Sequence, residues 1–244
     1  MTATEAELRI QLAACYRIFD HMGWSEMIYN HITVKIPGDD EHFLINPYGL
    51  HYTEVTASNL VKVDIQGNKV DDSPYAVNPA GLVIHTAIHA ARPDIHCIAH
   101  THTTEGMAVA CSEEGLRTDN FYSALLNNRI AYHDFEGITV MDDEKPRLVK
   151  SLADKNILIL RNHGLLVGGR SIPEAFQTMW GLQRACEVQV ATDASGKTPI
   201  PINDEVLGKT AQLMNLQAMG GPAGGLEFDA LTRVIAKIDP SYKD

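Results

Sequence analysis

Ile95-His96-Cys97-Ile98-Ala99-His100-Thr101-His102 is an apolar run that ends in two histidines one residue apart. Alternate side chains of a β-strand share a face, so this spacing sets the His100 and His102 imidazoles side by side and turns Thr101 the other way. Two such nitrogens suit a borderline divalent cation, zinc first and equally manganese, iron or cobalt. A pair is half a site. The candidate third ligand, His163, lies in Ile157-Leu-Ile-Leu160-Arg161-Asn162-His163-Gly164, where another apolar strand runs into a histidine and a glycine.

Outward from these two strands, the N-terminal side reads as helix and then sheet. Thr4-Glu-Ala-Glu7 is a capping-box pattern, and Leu8, Leu12, Cys15, Ile18, Phe19 and Met22 follow at helical spacing up to Gly23. A polar-aromatic loop, Trp24 to His31, precedes the alternating run Ile32-Thr-Val-Lys-Ile36. Pro37-Gly-Asp-Asp40 then turns the chain into His42-Phe-Leu-Ile45, which predicts an antiparallel hairpin. Leu60 to Ile65 is a further strand, with a hairpin signal at Gln66-Gly-Asn68. Leu82 to Ala91 is predicted helical and stops before Arg92-Pro93. Downstream, Thr104–Cys111 and Lys145–Leu152 read as helices and Arg129–His133 as a strand. A long helix spans about Ile172 to Ala194, with Pro173 and Glu174 suited to its first turn. Lys197 to Pro201 is a linker, Asp204–Met214 and Glu227–Ile238 are helices, and Gly220 to Gly225 is a flexible turn.

With 244 residues, 45% of them hydrophobic, the chain can bury a substantial core, and one domain over residues 1–244 is expected, with 197–244 as a C-terminal helical extension. The net charge of -11 argues against nucleic acid, whose phosphates demand a basic face. Cys15, Cys97, Cys111 and Cys186 form no C-x-x-C pair, and each sits in an apolar stretch, as buried reduced thiols do. The N-terminus shows no leader pattern and no window approaches a span of about 20 apolar residues, so a cytoplasmic protein without a membrane partner is expected.

Asn30-His-Ile-Thr33, Asn46-Pro-Tyr-Gly49, Glu54-Val-Thr56, the His100/His102 pair and Asn162-His163-Gly164, in this order and spacing, resemble the class II aldolase/adducin family. The resemblance implies an α/β fold, an α/β/α sandwich around a mainly antiparallel sheet. It also implies a homo-oligomer, commonly a tetramer, with metal sites near subunit interfaces. In the family's sugar-phosphate aldolases, histidines matching His100, His102 and His163 hold one divalent ion, usually zinc. That ion polarises a substrate carbonyl and stabilises the enediolate formed as a C–C bond breaks.

The departures from that family pattern narrow the chemistry. Gly81 stands where the aldolases carry their acid/base glutamate, Pro79 and Ala80 replace two phosphate-binding serines, and Tyr48 replaces a phosphate-turn threonine. Asn30 and Gly49 remain as matched substrate-binding positions. A glycine carries no proton, and decarboxylation needs only an electron sink where aldol cleavage needs a base. The expected function is therefore a metal-dependent lyase on a small, non-phosphorylated carbonyl, hydroxy or aromatic carboxylate compound, with decarboxylation ahead of aldol cleavage.

Three residues are further catalytic candidates. His85, one turn after Gly81, either faces the metal as the missing base or packs against the sheet; His89 follows a turn later. Tyr122, with Phe121 as the neighbouring match, aligns near an acid tyrosine that aldolases contribute across the interface. Arg161 either holds a substrate carboxylate on the His163 side of its strand or makes a surface ion pair. Two other readings stand beside the lyase: an adducin-head-like oligomerisation module, suggested by Tyr29–Thr33, Glu41–Pro47 and Thr53–Lys62, and an iron-dependent oxygenase.

Overall fold

The computed structural model describes residues 4–138, 141–219 and 223–244. Helix α1 (Glu5–His21) begins at its capping box: the Thr4 hydroxyl accepts from the Glu7 N–H, and the Glu7 carboxylate accepts from the Thr4 N–H. Strands β1 (His31–Ile36), β2 (Asp39–Ile45), β3 (Val61–Asp64), β4 (Cys97–Thr101), β5 (Ile130–His133), β6 (Ile157–Leu160) and β7 (Gly164–Gly169) form one sheet in the order β3-β2-β1-β4-β7-β6-β5. Every pairing is antiparallel except β5 with β6. Around it lie α2 (Pro79–Ala91), α3 (Thr104–Ala110), α4 (Phe121–Leu125), α5 (Lys145–Leu152), α6 (Ile172–Ala194), α7 (Asp204–Met219) and α8 (Gly225–Ile238).

The apolar alternation of the strands divides the core in two. On one face Leu12, Phe19, Ile32, Val34, Ala99, Val167, Phe176 and Met179 belong to a single cluster that takes in α1, α3, α6 and α8. On the other, Ile84 and Ile88 of α2 and Leu148 and Leu152 of α5 pack on Ile98, Leu158 and Leu166. This is the α/β/α arrangement around a mainly antiparallel sheet expected from the sequence. The chain's last residues join the first cluster: Phe228, Ile235 and Tyr242 are buried in it, and the Tyr242 carbonyl accepts from the Ala57 N–H.

Several boundaries differ from the sequence reading. β1 starts at His31, not Ile32, because pairing with β4 extends it by one residue. β4 ends at Thr101, so His102 lies just past the strand. α2 begins at Pro79, capped by the Asn78 side chain, which accepts from the Ala80 N–H. α4 was not foreseen. Cys111, read as buried, is exposed at the end of α3, whereas Cys15, Cys97 and Cys186 are buried, and all four thiols are free. Of the turn expected over 220–225, residues 220–222 lie outside the described residues, as do residues 1–3 of the N-terminus.

Tyr16 ties the helix layer to the strand that carries the site. Its buried hydroxyl donates to the Ile32 carbonyl at 2.5 Å and accepts from the Ile32 N–H at 2.8 Å and the Asn46 N–H at 3.1 Å. Tyr16→Phe keeps the ring but leaves these groups in want of a partner, so a loss of about 1–3 kcal/mol is expected in urea unfolding.

Candidate metal centre

Sheet register, rather than local sequence, assembles the site. In the β1–β4 ladder His31 stands directly opposite His100, and in the β4–β7 ladder Thr101 pairs with Leu165. His163 sits at the tip of the β6–β7 hairpin, whose turn is made by Asn162 in the left-handed region (φ 58°), a conformation that asparagine tolerates better than most residues. That tip meets the end of β4. The rings of His100, His102 and His163 lie 4.5–5.0 Å apart between centroids, and their ligating nitrogens all fall within 4.8 Å of one another. Among the described residues no carboxylate joins this group.

The donor set fits a divalent cation. His100 Nδ1–H donates to the Leu165 carbonyl at 2.8 Å, which leaves Nε2 unprotonated and aimed at His102 Nε2, 2.7 Å away. A backbone carbonyl behind a ligating imidazole fixes tautomer and ring orientation in metal sites. Burial first, and neighbouring imidazoles second, hold His100 well below the ordinary histidine range; burial pushes His163 down to about 4, with His102 adding to it, and burial also lowers His102. Neutral imidazole is the form that ligates.

His102 opens onto a cavity of about 310 Å³ between the loop after α1 (Trp24, Ser25, Glu26), the start of α3 (Thr103, Thr104, Glu105) and α6 (Gln183, Glu187). Three carboxylates line it and no lysine or arginine does. Asn30 supports one wall, its buried Nδ2 donating to the Trp24 carbonyl at 2.9 Å while Oδ1 has no protein partner. Gly49, at φ 101°, occupies a turn that the absence of a side chain permits and does not line this cavity.

The other candidates are placed elsewhere. His85 is fully buried and separated from the trio by His31: its Nε2 lies 2.9 Å from His31 Nδ1, and its Nδ1 2.7 Å from Thr33 Oγ1. Tyr122 packs on Trp180 (5.5 Å between centroids) under the Arg184 guanidinium, while its neighbour Phe121 is exposed. Arg161 lies past β6, donates to the Ser112 and Glu113 carbonyls and stacks on Tyr132 at 4.6 Å, so its guanidinium is committed to the protein, although it shares a small hollow with His163.

Sequence reasoning passed over His31, Thr33 and His89 as a connected group. His31 is 3% exposed and its ring stacks on His100 at 5.1 Å. A signal was present: His31 and Thr33 are two apart on a strand, and His85 and His89 four apart on a helix, each pair sharing a face.

This buried cluster makes the metal-free fold sensitive to acid. Burial drives His31 and His85 well below 6.5 and His89 down to about 3. Because these folded values lie below the unfolded one, the unfolded chain binds more protons, and stability is lost as pH falls through about 6.5 toward 3. From His89 alone, urea unfolding in chelator is expected to lose about 2 kcal/mol between pH 7 and pH 5.

Residues 10–190 match the family described as the class II aldolase and adducin N-terminal domain. A crystal structure of an aldolase II superfamily protein from Pseudomonas syringae superposes with a TM-score of 0.92 at 43% identity, covering 100% of this chain and 98% of that one. An L-fuculose 1-phosphate aldolase from Glaciozyma antarctica does so with a TM-score of 0.86 at 30% identity, covering 100% and 96%. Alpha-adducin of Rattus norvegicus is 50% identical over 198 residues, which are 80% of this chain and 27% of that protein.

Proposed function

The chain belongs to the class II aldolase and adducin N-terminal domain family, and on that premise we propose that it is a divalent-metal-dependent carbon–carbon lyase acting on a small hydroxy-carbonyl compound without a phosphate. The observation that carries this reading is the trio His100, His102 and His163, with one nitrogen bared by the Leu165 carbonyl, beside an open cavity. A divalent ion held by these residues, zinc favoured and manganese, iron or cobalt admitted by the same donors, would polarise the substrate carbonyl.

The lining of the cavity supports a choice between reactions. Glu26 and Glu105 would repel a substrate carboxylate or phosphate and accept hydrogen bonds from hydroxyls, while the third carboxylate, Glu187, is paired with Arg184 and Gln183. We therefore place aldol-type cleavage ahead of decarboxylation, reversing the order drawn from Gly81 alone. Exposed apolar side chains such as Phe121, Ile138 and Leu226 support a homo-oligomer, with a tetramer as the family-based expectation and a cytoplasmic setting as the expectation from the sequence pattern. Among the described residues no helix is long and apolar enough to cross a membrane.

The test is a product assay on zinc-loaded protein with phosphorylated and phosphate-free aldols, 3-oxo acids and dihydroxy-aromatic acids. Cleavage of phosphate-free aldols, lost on chelation and restored by metal, is the expected result. Carbon dioxide release from the acids would restore decarboxylation to first place, and oxygen uptake with iron would favour an oxygenase. The 50% identity to alpha-adducin favours a second reading as an oligomerisation module. An occupied site that turns over none of the panel would support it.

A further inference from the structure

Gln183 of α6 lines the cavity that His102 opens onto, yet it is only 2% exposed. Chemistry sets which end of its amide faces which neighbour. Carboxylate oxygens accept, so the Nε2 group faces them, donating one hydrogen to Glu105 Oε2 at 3.2 Å and the other to Glu187 Oε1 at 3.1 Å. The amide oxygen is left for the Thr103 hydroxyl, which donates to it at 2.5 Å. Gly106 gives that hydroxyl its room, since a Cβ there would stand 2.6 Å from Thr103 Oγ1.

The three carboxylates of the cavity are thereby made unequal. Glu187 is spent, with one oxygen on Gln183 and the other on the Arg184 guanidinium. Glu26 sits on an exposed loop, and no described residue holds its carboxylate. Glu105 is both held and open: the buried amide fixes Oε2, and Oε1 has no partner among the described residues. A group fixed beforehand loses little freedom when a ligand arrives, whereas a loose one must first be ordered.

We infer that Glu105 is the specificity-determining residue of the cavity, selecting substrates with a hydroxyl on the end remote from the carbonyl, and that Gln183 is the positioning residue that presents Glu105 Oε1 to it. This deepens the lyase reading and rests on it. With the carbonyl end at the trio, the other end of a short polyhydroxylated chain reaches the wall that carries Glu105, and a cavity of about 310 Å³ holds a molecule of that size. A remote hydroxyl donates to Glu105 Oε1. A methyl group in its place strips that oxygen of water and returns no hydrogen bond, and a phosphate or carboxylate is repelled.

Two measurements test it. In metal-free protein labelled with ¹⁵N-glutamine, the Gln183 side-chain amide is expected to give two resolved, slowly exchanging proton signals, and Glu105→Ala to shift one far more than the other. Equal shifts of both, or no shift, would overturn the positioning role. Zinc-loaded protein is then assayed on phosphate-free ketopentoses of every C3–C4 configuration and on their 5-deoxy counterparts. The wild type is expected to favour the hydroxylated member of its best pair by at least about tenfold in kcat/KM. Glu105→Ala and Gln183→Met are each expected to bring that ratio to within about twofold, as is Gln183→Glu, which keeps an acceptor for Thr103 and loses both donors. A merely structural Gln183 would lower both rates together and leave the ratio where it was. A wild-type ratio near one, or a ratio that Glu105→Ala or Gln183→Met leaves unchanged, would sink the proposal and spare the lyase reading. Absence of cleavage of every member by the wild type would sink the specificity role together with that reading.

Discussion

Replacing His100 by alanine is expected to remove metal retention and metal-dependent turnover together while the chain still folds. His100 is the most buried of the three candidate ligands and the one whose tautomer is fixed from behind. Loss of such a supporting partner typically weakens a metal site by about 10–100-fold, and loss of the ligand itself is expected to exceed that. The Leu165 carbonyl also loses its donor, which costs the metal-free fold about 1–3 kcal/mol. Two readouts separate the effects. In chelator, the melting temperature should fall by several degrees. On adding zinc, the wild type should gain stability in proportion to binding and His100→Ala should not.

Gly164→Ala is expected to disturb the site without touching a ligand. A Cβ there would lie 2.4 Å from the Thr101 carbonyl oxygen, 2.9 Å from His102 Cδ2 and 3.3 Å from His100 Cε1. The first is backbone, which cannot swing aside, so β7 must part from β4 at the point where their ends hold the trio. Overpacking of this kind typically costs about 1–3 kcal/mol. The same movement should weaken zinc affinity by about tenfold or more, because ligand geometry is what the close approach secures. Competition with a chromophoric chelator gives the affinity and urea unfolding the stability. A variant that unfolds earlier yet binds zinc as tightly as wild type would show that the close approach serves the fold alone.

The glycine after His163 was legible as a motif, but its reason was not. It is required by contact with a strand sixty residues away, and pairwise registers of that kind leave no local trace. For His100 and His102 the alternation argument covers the first member alone, since the strand ends at Thr101 and His102 is carried by the short link into α3. His31 was read as the end of a loop because the apolar alternation begins at Ile32. Its position opposite His100 belongs to the β1–β4 pairing, and that its ring fills the space over Gly81 shows only in the folded chain. The same limit applies at position 81: the sequence shows a residue that cannot carry a proton, while the side chain that occupies the space beside it comes from another element. For Arg161 the sequence offers a substrate carboxylate or a surface ion pair, and the fold closes its hydrogen bonds on the Ser112 and Glu113 carbonyls with Asp134 3.8 Å away. By contrast the layered fold was legible, because helix stripes, strand alternation and turn residues agree along most of the chain.

The most direct measurement is a crystal structure of zinc-loaded protein with diffraction recorded on both sides of the zinc edge. A single anomalous peak per chain, bonded by His100, His102 and His163 at about 2.0–2.1 Å and retaining an open position toward the Glu26–Glu105–Glu187 cavity, is the result predicted. No peak at the trio in the presence of excess zinc, or one held by other residues while His100 and His102 remain hydrogen bonded to each other, would contradict it.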